Sequence, residues 1–145
     1  MYKFNGSENA KRIVKDTDYK GISTPCDLYD FLTNVWCKET CAPRLQDKWS
    51  INNKTLGQCS ITAFLVQDVF GGEVYAVKTA NGIHCYNVVD NLYFDLTSEQ
   101  FEDLAKDLDY SELIPQSRDD EHHFKKEEKY QRYLYLKNKL DEIKK

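Results

Sequence analysis

The segment from Cys59 to Phe70 constrains the fold of this chain more than any other stretch. Its apolar residues occupy nearly the whole circumference of a helix: Ile61, Ala63, Phe64, Leu65, Val66, Val69 and Phe70. A helix that is apolar almost all round lies in a protein interior. Gly71-Gly72 follows and predicts the end of the helix, because glycines commonly terminate helices. The chain must therefore pack around one central buried helix.

A small antiparallel sheet is predicted beside this helix. Three segments rich in β-branched and aromatic residues follow it, at 73–79, 83–89 and 92–97. Asn81-Gly82 predicts a hairpin turn between the first two segments, and Asp90-Asn91 predicts a turn between the last two. Such turns join neighbouring strands, so the three segments are expected to pair in chain order.

Further helices are predicted on both sides of this centre. Residues 24–43 predict a helix in which Thr24 is the N-cap and Asp27 completes a capping box. Residues 97–108 predict a short helix, and residues 118–145 predict a long, charged, amphipathic C-terminal helix packed on the domain. Together with the sheet, these helices indicate an α+β fold.

Length and charge narrow the class of protein. A chain of 145 residues predicts one domain, residues 1–145, in which the polar residues 1–22 are expected to form either a short strand or a loose arm. The formal net charge of −4 argues against a nucleic-acid partner, whose phosphates favour clustered Lys and Arg. No apolar run reaches the roughly 18 residues of a membrane span, and the N-terminus lacks a signal-peptide centre. We therefore expect no membrane association and a cytoplasmic location.

Five cysteines are present, at positions 26, 37, 41, 59 and 85. An odd number without a secretion signal argues against a disulfide framework. Cys37 and Cys41 lie one helical turn apart but have no second Cys/His pair at zinc-finger spacing. No metal and no cofactor is expected, and most of these thiols are interpreted as reduced side chains packed against the core.

Cys59 is the exception, because it begins the buried helix. A free thiol is only about 3% ionised near neutral pH, and a helix N-terminus favours its thiolate. The backbone N–H groups there, together with the Gln58 side-chain amide, are candidates for an oxyanion hole. The alternative is that Cys59 is simply a small buried hydrophobe.

The second hairpin brings a histidine and a carboxylate to one face of the sheet. If Asp90-Asn91 is a two-residue turn, Tyr86 lies opposite Asp95, and His84 becomes a diagonal neighbour of Asp95 on the same face. A carboxylate there can fix the tautomer of the imidazole and stabilise its charged form. Asn87 lies on the other face in this register and is the weaker orienting candidate.

Several of these residues have a second interpretation. Asp95 is also placed to cap the helix that begins near Thr97. His122-His123 are interpreted as a solvated helix start in preference to a weak metal site, because acidic residues surround them. Trp49 and Tyr86 are candidate substrate contacts, although packing on the core is the favoured interpretation of Trp49.

A cysteine opening a buried helix, a strand histidine and an aspartate in "YFDLT" resemble the papain-like and transglutaminase-like cysteine enzymes. More closely, the stretches "GQCSITAFLVQDVFGGE", "DLTSEQF" and "RYLYLKNKL" resemble a family of small uncharacterised bacterial proteins of the YunG type. The resemblance implies a papain-like or transglutaminase-like α+β fold, with the central helix on an antiparallel sheet. It implies that Cys59 is the nucleophile, His84 the base, and Asp95 or Asn87 the orienting group.

The sequence therefore predicts a cysteine-dependent hydrolase or acyl transferase that acts on an amide, isopeptide or ester bond. Its substrate is expected to be a peptide or a small amide or ester. One alternative is a catalytically inactive protein-binding module on the same fold, which would use the Tyr130–Tyr135 stretch to contact a protein partner. Another is a redox-sensing thiol at Cys59 with Cys85 as its resolving partner, although Cys85 points away from His84 in this register.

Overall fold

Four α-helices and a four-stranded sheet make up the computed structural model, which describes residues 1–145. The helices are α1 (Ser7–Arg12), α2 (Pro25–Leu32), α3 (Cys59–Phe70) and α4 (Glu127–Asp141). The strands are β1 (Glu73–Thr79), β2 (Gly82–Val89), β3 (Leu92–Phe94) and β4 (Ile114–Pro115). Three 3₁₀ segments, Lys38–Thr40, Pro43–Lys48 and Ser98–Asp107, lie between them. The α+β class is confirmed, and no helix combines the length and apolar composition needed to cross a bilayer.

The sheet is antiparallel and has the strand order β3-β2-β1-β4. Asp90 and Asn91 form the predicted two-residue turn between β2 and β3, both with positive φ (53° and 66°). The turn between β1 and β2 lies one residue earlier than expected, because Thr79 pairs with Gly82. Gly82 therefore supplies the positive φ, 121°, at the start of β2, and Ala80-Asn81 make the bend.

The helix α3 is the buried centre that the sequence predicts, and its bounds agree with the apolar segment. It packs on β2, where the Asn87 side chain donates a 2.9 Å hydrogen bond from Nδ2 to the Ala63 carbonyl oxygen. Gly71, with φ 79°, ends the helix. Helix and strand are thus fixed relative to each other by apolar packing and by one buried polar contact.

The predicted helix over 24–43 is shorter than expected. The capping box between Thr24 and Asp27 is present, but α2 ends at Leu32. The chain turns there so that Trp36 becomes buried, and its Nε1 donates to Thr62 Oγ1 of α3 at 3.0 Å. Burial of a large aromatic ring outweighs the helical propensity of the segment.

The expectation of a loose arm over residues 1–22 is wrong. Its apolar residues enter the core one at a time and are at most 6% exposed: Phe4, Ala10, Ile13, Tyr19 and Ile22. Their irregular spacing produces no helical or strand period, which is why the sequence pattern did not reveal the packing.

The two C-terminal helix predictions also need correction. Residues 98–107 form a 3₁₀ segment broken at Glu102, where φ is 53°, and not a regular α-helix. The C-terminal helix begins at Glu127 and not at residue 118, because residues 118–126 form turns. This helix packs on α3 through a buried stripe of Tyr133, Leu136 and Leu140.

Candidate active site

Cys59 is the first residue of α3 and is partly exposed at the wall of a cavity of about 670 Å³. The backbone N–H groups of Cys59, Ser60 and Ile61 have no hydrogen-bond acceptor within the chain, as expected for the first turn of a helix. The preceding turn is held close, since Gly57 has φ 72° and its carbonyl oxygen accepts from Ala42 N at 3.0 Å. The sulfur therefore lies beside free N–H donors.

His84 and Asp95 form a direct buried contact. His84 Nε2 lies 2.6 Å from Asp95 Oδ2, and the side chains are 2% and 1% exposed. The register that the sequence predicts is confirmed, since Asn87 pairs with Phe94 and Val88 pairs with Tyr93. Asp95 follows β3 directly, and its backbone N–H donates to Asn5 O at 2.9 Å. The N-terminal segment thus fixes the position of the carboxylate.

The Asp95 carboxylate has further donors. Oδ1 accepts from the backbone N–H of Thr97 at 3.2 Å, which closes a turn before the 3₁₀ segment; no side chain caps that segment, so the capping interpretation of Asp95 is wrong. Oδ2 accepts a 2.6 Å hydrogen bond from the Tyr110 hydroxyl, which in turn accepts from Asn5 Nδ2 at 2.9 Å. Burial and the Asp95 charge raise the pKa of Tyr110, which keeps this hydroxyl a donor. Oδ1 thus fixes the backbone that follows Asp95, and Oδ2 faces the His84 imidazole.

The electrostatics of the cluster favour an ion pair between Cys59 and His84. Burial alone lowers the pKa of His84, but the charge and hydrogen bond of Asp95 and the adjacent Cys59 raise it to about 10. A thiol hydrogen bond from Cys85 holds the pKa of Cys59 well below its usual value; burial opposes this effect, and His84 adds to it. His84 Nδ1 is buried and has no hydrogen-bond partner in the chain. The nitrogen that remains free of Asp95 is therefore the one available to the thiol.

Cys85 is closer to Cys59 than the sequence suggests. It does lie in the core, on the face of β2 opposite His84. The start of α3 lies over this part of β2, so the Cys85 thiol comes close to Cys59 although it points away from His84. The hydrogen bond to Cys59, together with burial and the Cys59 charge, keeps the pKa of Cys85 high, so Cys85 remains a protonated donor.

The cavity is also lined by residues that the sequence did not identify as part of a site. His123 is 2% exposed and is not part of a solvated helix start; Nε2 lies 2.7 Å from Gln116 Oε1, and Nδ1 lies 3.3 Å from Lys129 Nζ. Burial and the Lys129 charge lower the pKa of His123 to about 4, so the ring is neutral near pH 7. Lys129 and Arg132 line the same wall. In the sequence they belong to a charged tail, and no spacing distinguishes them from solvated residues.

The remaining predicted site residues lie away from the cavity. Gln58 is fully buried, and its Nε2 donates to Cys37 O at 3.1 Å, so its amide supports the start of α3 from behind. Asn87 is on the α3 face, as expected, and is bonded to the helix backbone. Neither residue lines the cavity; the start of α3 does line it, and Asp95 is the candidate that contacts His84.

The two candidate substrate contacts are likewise placed elsewhere. Trp49 Nε1 donates to Lys54 O at 2.9 Å and closes a local loop. Tyr86 is 1% exposed, and its hydroxyl donates to the carbonyl oxygens of Tyr110 and Glu112. Tyr86 therefore anchors the segment that carries Tyr110. The aromatic residue that lines the cavity beside His84 is Phe101. Its ring packs edge-on against the imidazole at a centroid distance of 4.8 Å.

Comparisons with known proteins confirm the YunG-type resemblance. The family model "YunG protein" matches residues 24–145. A relative from Bacillus subtilis (strain 168), described as "Uncharacterized protein YunG", is 33% identical over 94 residues, which are 65% of this chain and 78% of the relative. No solved structure matches this chain. No group of three or more His, Cys, Asp and Glu side chains is arranged to hold a metal ion.

Proposed function

This chain belongs to the YunG family, and from the geometry of its site we propose that it is a cysteine-dependent hydrolase or acyl transferase. The substrate would be a peptide or a small compound with an amide, isopeptide or ester bond. The observation that carries the proposal is the 2.6 Å contact between His84 and Asp95 beside a cysteine at the start of a buried helix. Nucleophile, base and orienting group are the three parts that covalent acyl transfer needs.

In the first step, the Cys59 thiolate attacks the carbonyl carbon of the substrate. A thiolate is the reactive form of cysteine, and the low pKa of Cys59 keeps it populated near neutral pH. The oxyanion that forms is stabilised by the free N–H groups at the start of α3. His84 Nδ1 then gives its proton to the leaving amine or alcohol, which leaves a thioester on Cys59.

In the second step, water or an amine resolves the thioester. His84 takes a proton from the incoming nucleophile, and Asp95 stabilises the imidazolium that results. Cys59 leaves as a thiolate. Hydrolysis and transfer differ only in which nucleophile enters the cavity.

The arrangement also supports a papain-like or transglutaminase-like fold as the finer description of this α+β domain. The thiol lies at the start of the central helix, the imidazole on a strand, and the carboxylate beside the next strand. A protein-binding module has less support. Its candidate contacts are Tyr130, Tyr133 and Tyr135, and only Tyr135 is exposed, at 41%.

Iodoacetamide is expected to label Cys59 faster than the other four cysteines at about pH 6.5. Because the pKa of His84 is about 10, the ion pair persists, and the Cys59 rate should stay nearly flat between about pH 7 and 9. Burial raises the pKa of both Cys26 and Cys41 to about 11, so their rates should rise about tenfold per pH unit in that range. Peptide mass spectrometry of timed samples measures each rate separately.

His84→Ala is the matched control for this experiment. It removes the imidazolium, so Cys59 should lose its advantage and its flat pH profile. Equal labelling of all accessible thiols in the unmodified chain would contradict the proposed function.

The contact between Cys59 and Cys85 favours a redox-sensing thiol as a second candidate function. Hydrogen peroxide would oxidise the Cys59 thiolate to a sulfenic acid and release hydroxide. The Cys85 thiol would then displace the hydroxyl group as water and form a disulfide.

Peroxide treatment is expected to give a Cys59–Cys85 link that mass spectrometry of unreduced peptides detects. In Cys85→Ala, Cys59 should instead proceed to sulfinic acid. Sulfinic acid at Cys59 in the unmodified chain, with no link, would exclude this second function.

A further inference from the structure

The wall of the cavity carries an excess of positive charge in a chain of net charge −4. Its charged lining consists of four cations and one carboxylate: Arg44, Lys126, Lys129 and Arg132, and Glu128. The lining therefore has a net charge of +3. The ion pair of Cys59 and His84 adds nothing to this sum, and even with Asp95 behind His84 the region stays positive.

The cations are not equivalent. Arg132 is compensated, since Nε lies 2.8 Å from Glu128 Oε2 and Nη1 donates to Thr40 O at 3.1 Å. Arg44 and Lys126 form no ion pair. These two side chains are exposed and line the cavity, so they are free to meet a charge that enters it.

Lys129 is the third cation of the lining without an ion pair. It is half-buried, and Nζ donates to the His122 carbonyl oxygen at 2.6 Å and to His123 Nδ1 at 3.3 Å. Both partners are neutral acceptors, so its charge is oriented but not compensated. Burial lowers the pKa of Lys129, and the Cys59 charge opposes this effect. An isolated charge of this kind is costly to bury without a counter-charge.

We propose that the substrate is an anionic acyl compound, whose negative group lies close to the bond that Cys59 attacks and binds to Arg44, Lys126 and Lys129. This inference rests on the proposed function of Cys59 and names the class of its substrate. Three uncompensated cations around a cavity concentrate anions there and orient them by charge. A neutral substrate would leave the cations without a partner when it displaces water from the cavity.

The test compares two alkylating agents of nearly the same size, the anion iodoacetate and the neutral iodoacetamide. The rate ratio of iodoacetate to iodoacetamide at Cys59 is expected to be about tenfold higher than in the urea-unfolded chain at low salt. The excess should fall as salt screens the cations. The double variant Arg44→Gln/Lys126→Gln should lower the iodoacetate rate much more than the iodoacetamide rate. Lys125→Gln removes a neighbouring charge that does not line the cavity, and should leave the ratio unchanged.

Two results separate this inference from the proposed function. If Cys59 reacts rapidly with iodoacetamide but its ratio equals that of the unfolded chain, the anionic substrate class is wrong and the reactive thiol stands. If Cys59 reacts with neither reagent faster than an ordinary thiol, the proposed function fails, and the inference fails with it. A raised ratio that Arg44→Gln/Lys126→Gln does not reduce would also overturn the assignment of these cations.

Discussion

Replacing Asp95 by alanine is expected to lower the free energy of unfolding by about 3–5 kcal/mol, because breaking a buried ion pair leaves the other charge unpaired. His84, at 2% exposure, would lose its only hydrogen-bond partner. Thr97 and Tyr110 would lose an acceptor as well. Without the carboxylate, burial lowers the pKa of His84, so the imidazolium that supports the Cys59 thiolate is lost. Urea denaturation and the pH profile of iodoacetamide labelling measure the two effects.

The loss of stability in Asp95→Ala should depend on pH, and the pKa of His84 determines the direction of that dependence. This pKa is about 10 in the folded chain, against an ordinary value near 6.5. The folded chain therefore binds this proton more tightly than the unfolded chain. The stabilisation is present in full below about pH 6.5 and is lost as the pH rises towards 10. The difference in unfolding free energy between the unmodified chain and Asp95→Ala should shrink over that interval.

Tyr110→Phe is the matched control, since it removes one hydrogen bond to Asp95 and keeps both the carboxylate and the aromatic ring. A single hydrogen bond to a charged group is worth about 1.5–3 kcal/mol at most. Tyr110→Phe should therefore cost less than Asp95→Ala and should leave Cys59 reactive at about pH 6.5. Equal losses in the two variants would show that Asp95 stabilises the fold through Tyr110 and not through His84.

The centre of the molecule could be predicted from the sequence because its signals are local. The segment from Cys59 to Phe70 is apolar all round, and two glycines end it, so its bounds follow from the pattern. Asp90-Asn91 fixes a two-residue turn, and this alone sets the register that brings His84 and Asp95 to one face. A turn longer by one residue would have placed Asp95 on the other face.

The surroundings of the site depend on contacts between distant parts of the chain, which no local pattern contains. Asn5 binds both Asp95 and Tyr110, although about ninety residues or more lie between it and either partner. Lys129 looks like a solvated charge in the sequence, and only the packing of α4 places it at the cavity. Cys85 shows the limit of the register argument. The alternation of side chains gives the face of β2 on which Cys85 lies, but not that the start of α3 packs over that face.

Gly57→Ala is expected to destabilise the fold by about 2–5 kcal/mol, the sum of left-handed strain and overpacking. At φ 72° a side chain is strained, and the added Cβ would lie 2.5 Å from Cys41 Sγ and 2.8 Å from Ala42 N. The backbone N–H of Ala42 donates a hydrogen bond to the Gly57 carbonyl oxygen, so Ala42 cannot move away from the added Cβ without losing that bond. The start of α3 would have to shift, which would carry the Cys59 sulfur away from His84.

Gly21→Ala is the control that separates backbone strain from steric overlap of the added Cβ. Gly21 has nearly the same dihedral angle, φ 75°, but nothing lies within 4 Å of an added Cβ. Its alanine variant should therefore lose only the strain of about 1–2 kcal/mol and keep full Cys59 reactivity. Urea denaturation and iodoacetamide labelling of both variants at about pH 6.5 measure the comparison. Equal reactivity of Cys59 in the two variants would show that the close packing at Gly57 does not position the thiol, and that α3 holds the sulfur through its core contacts alone.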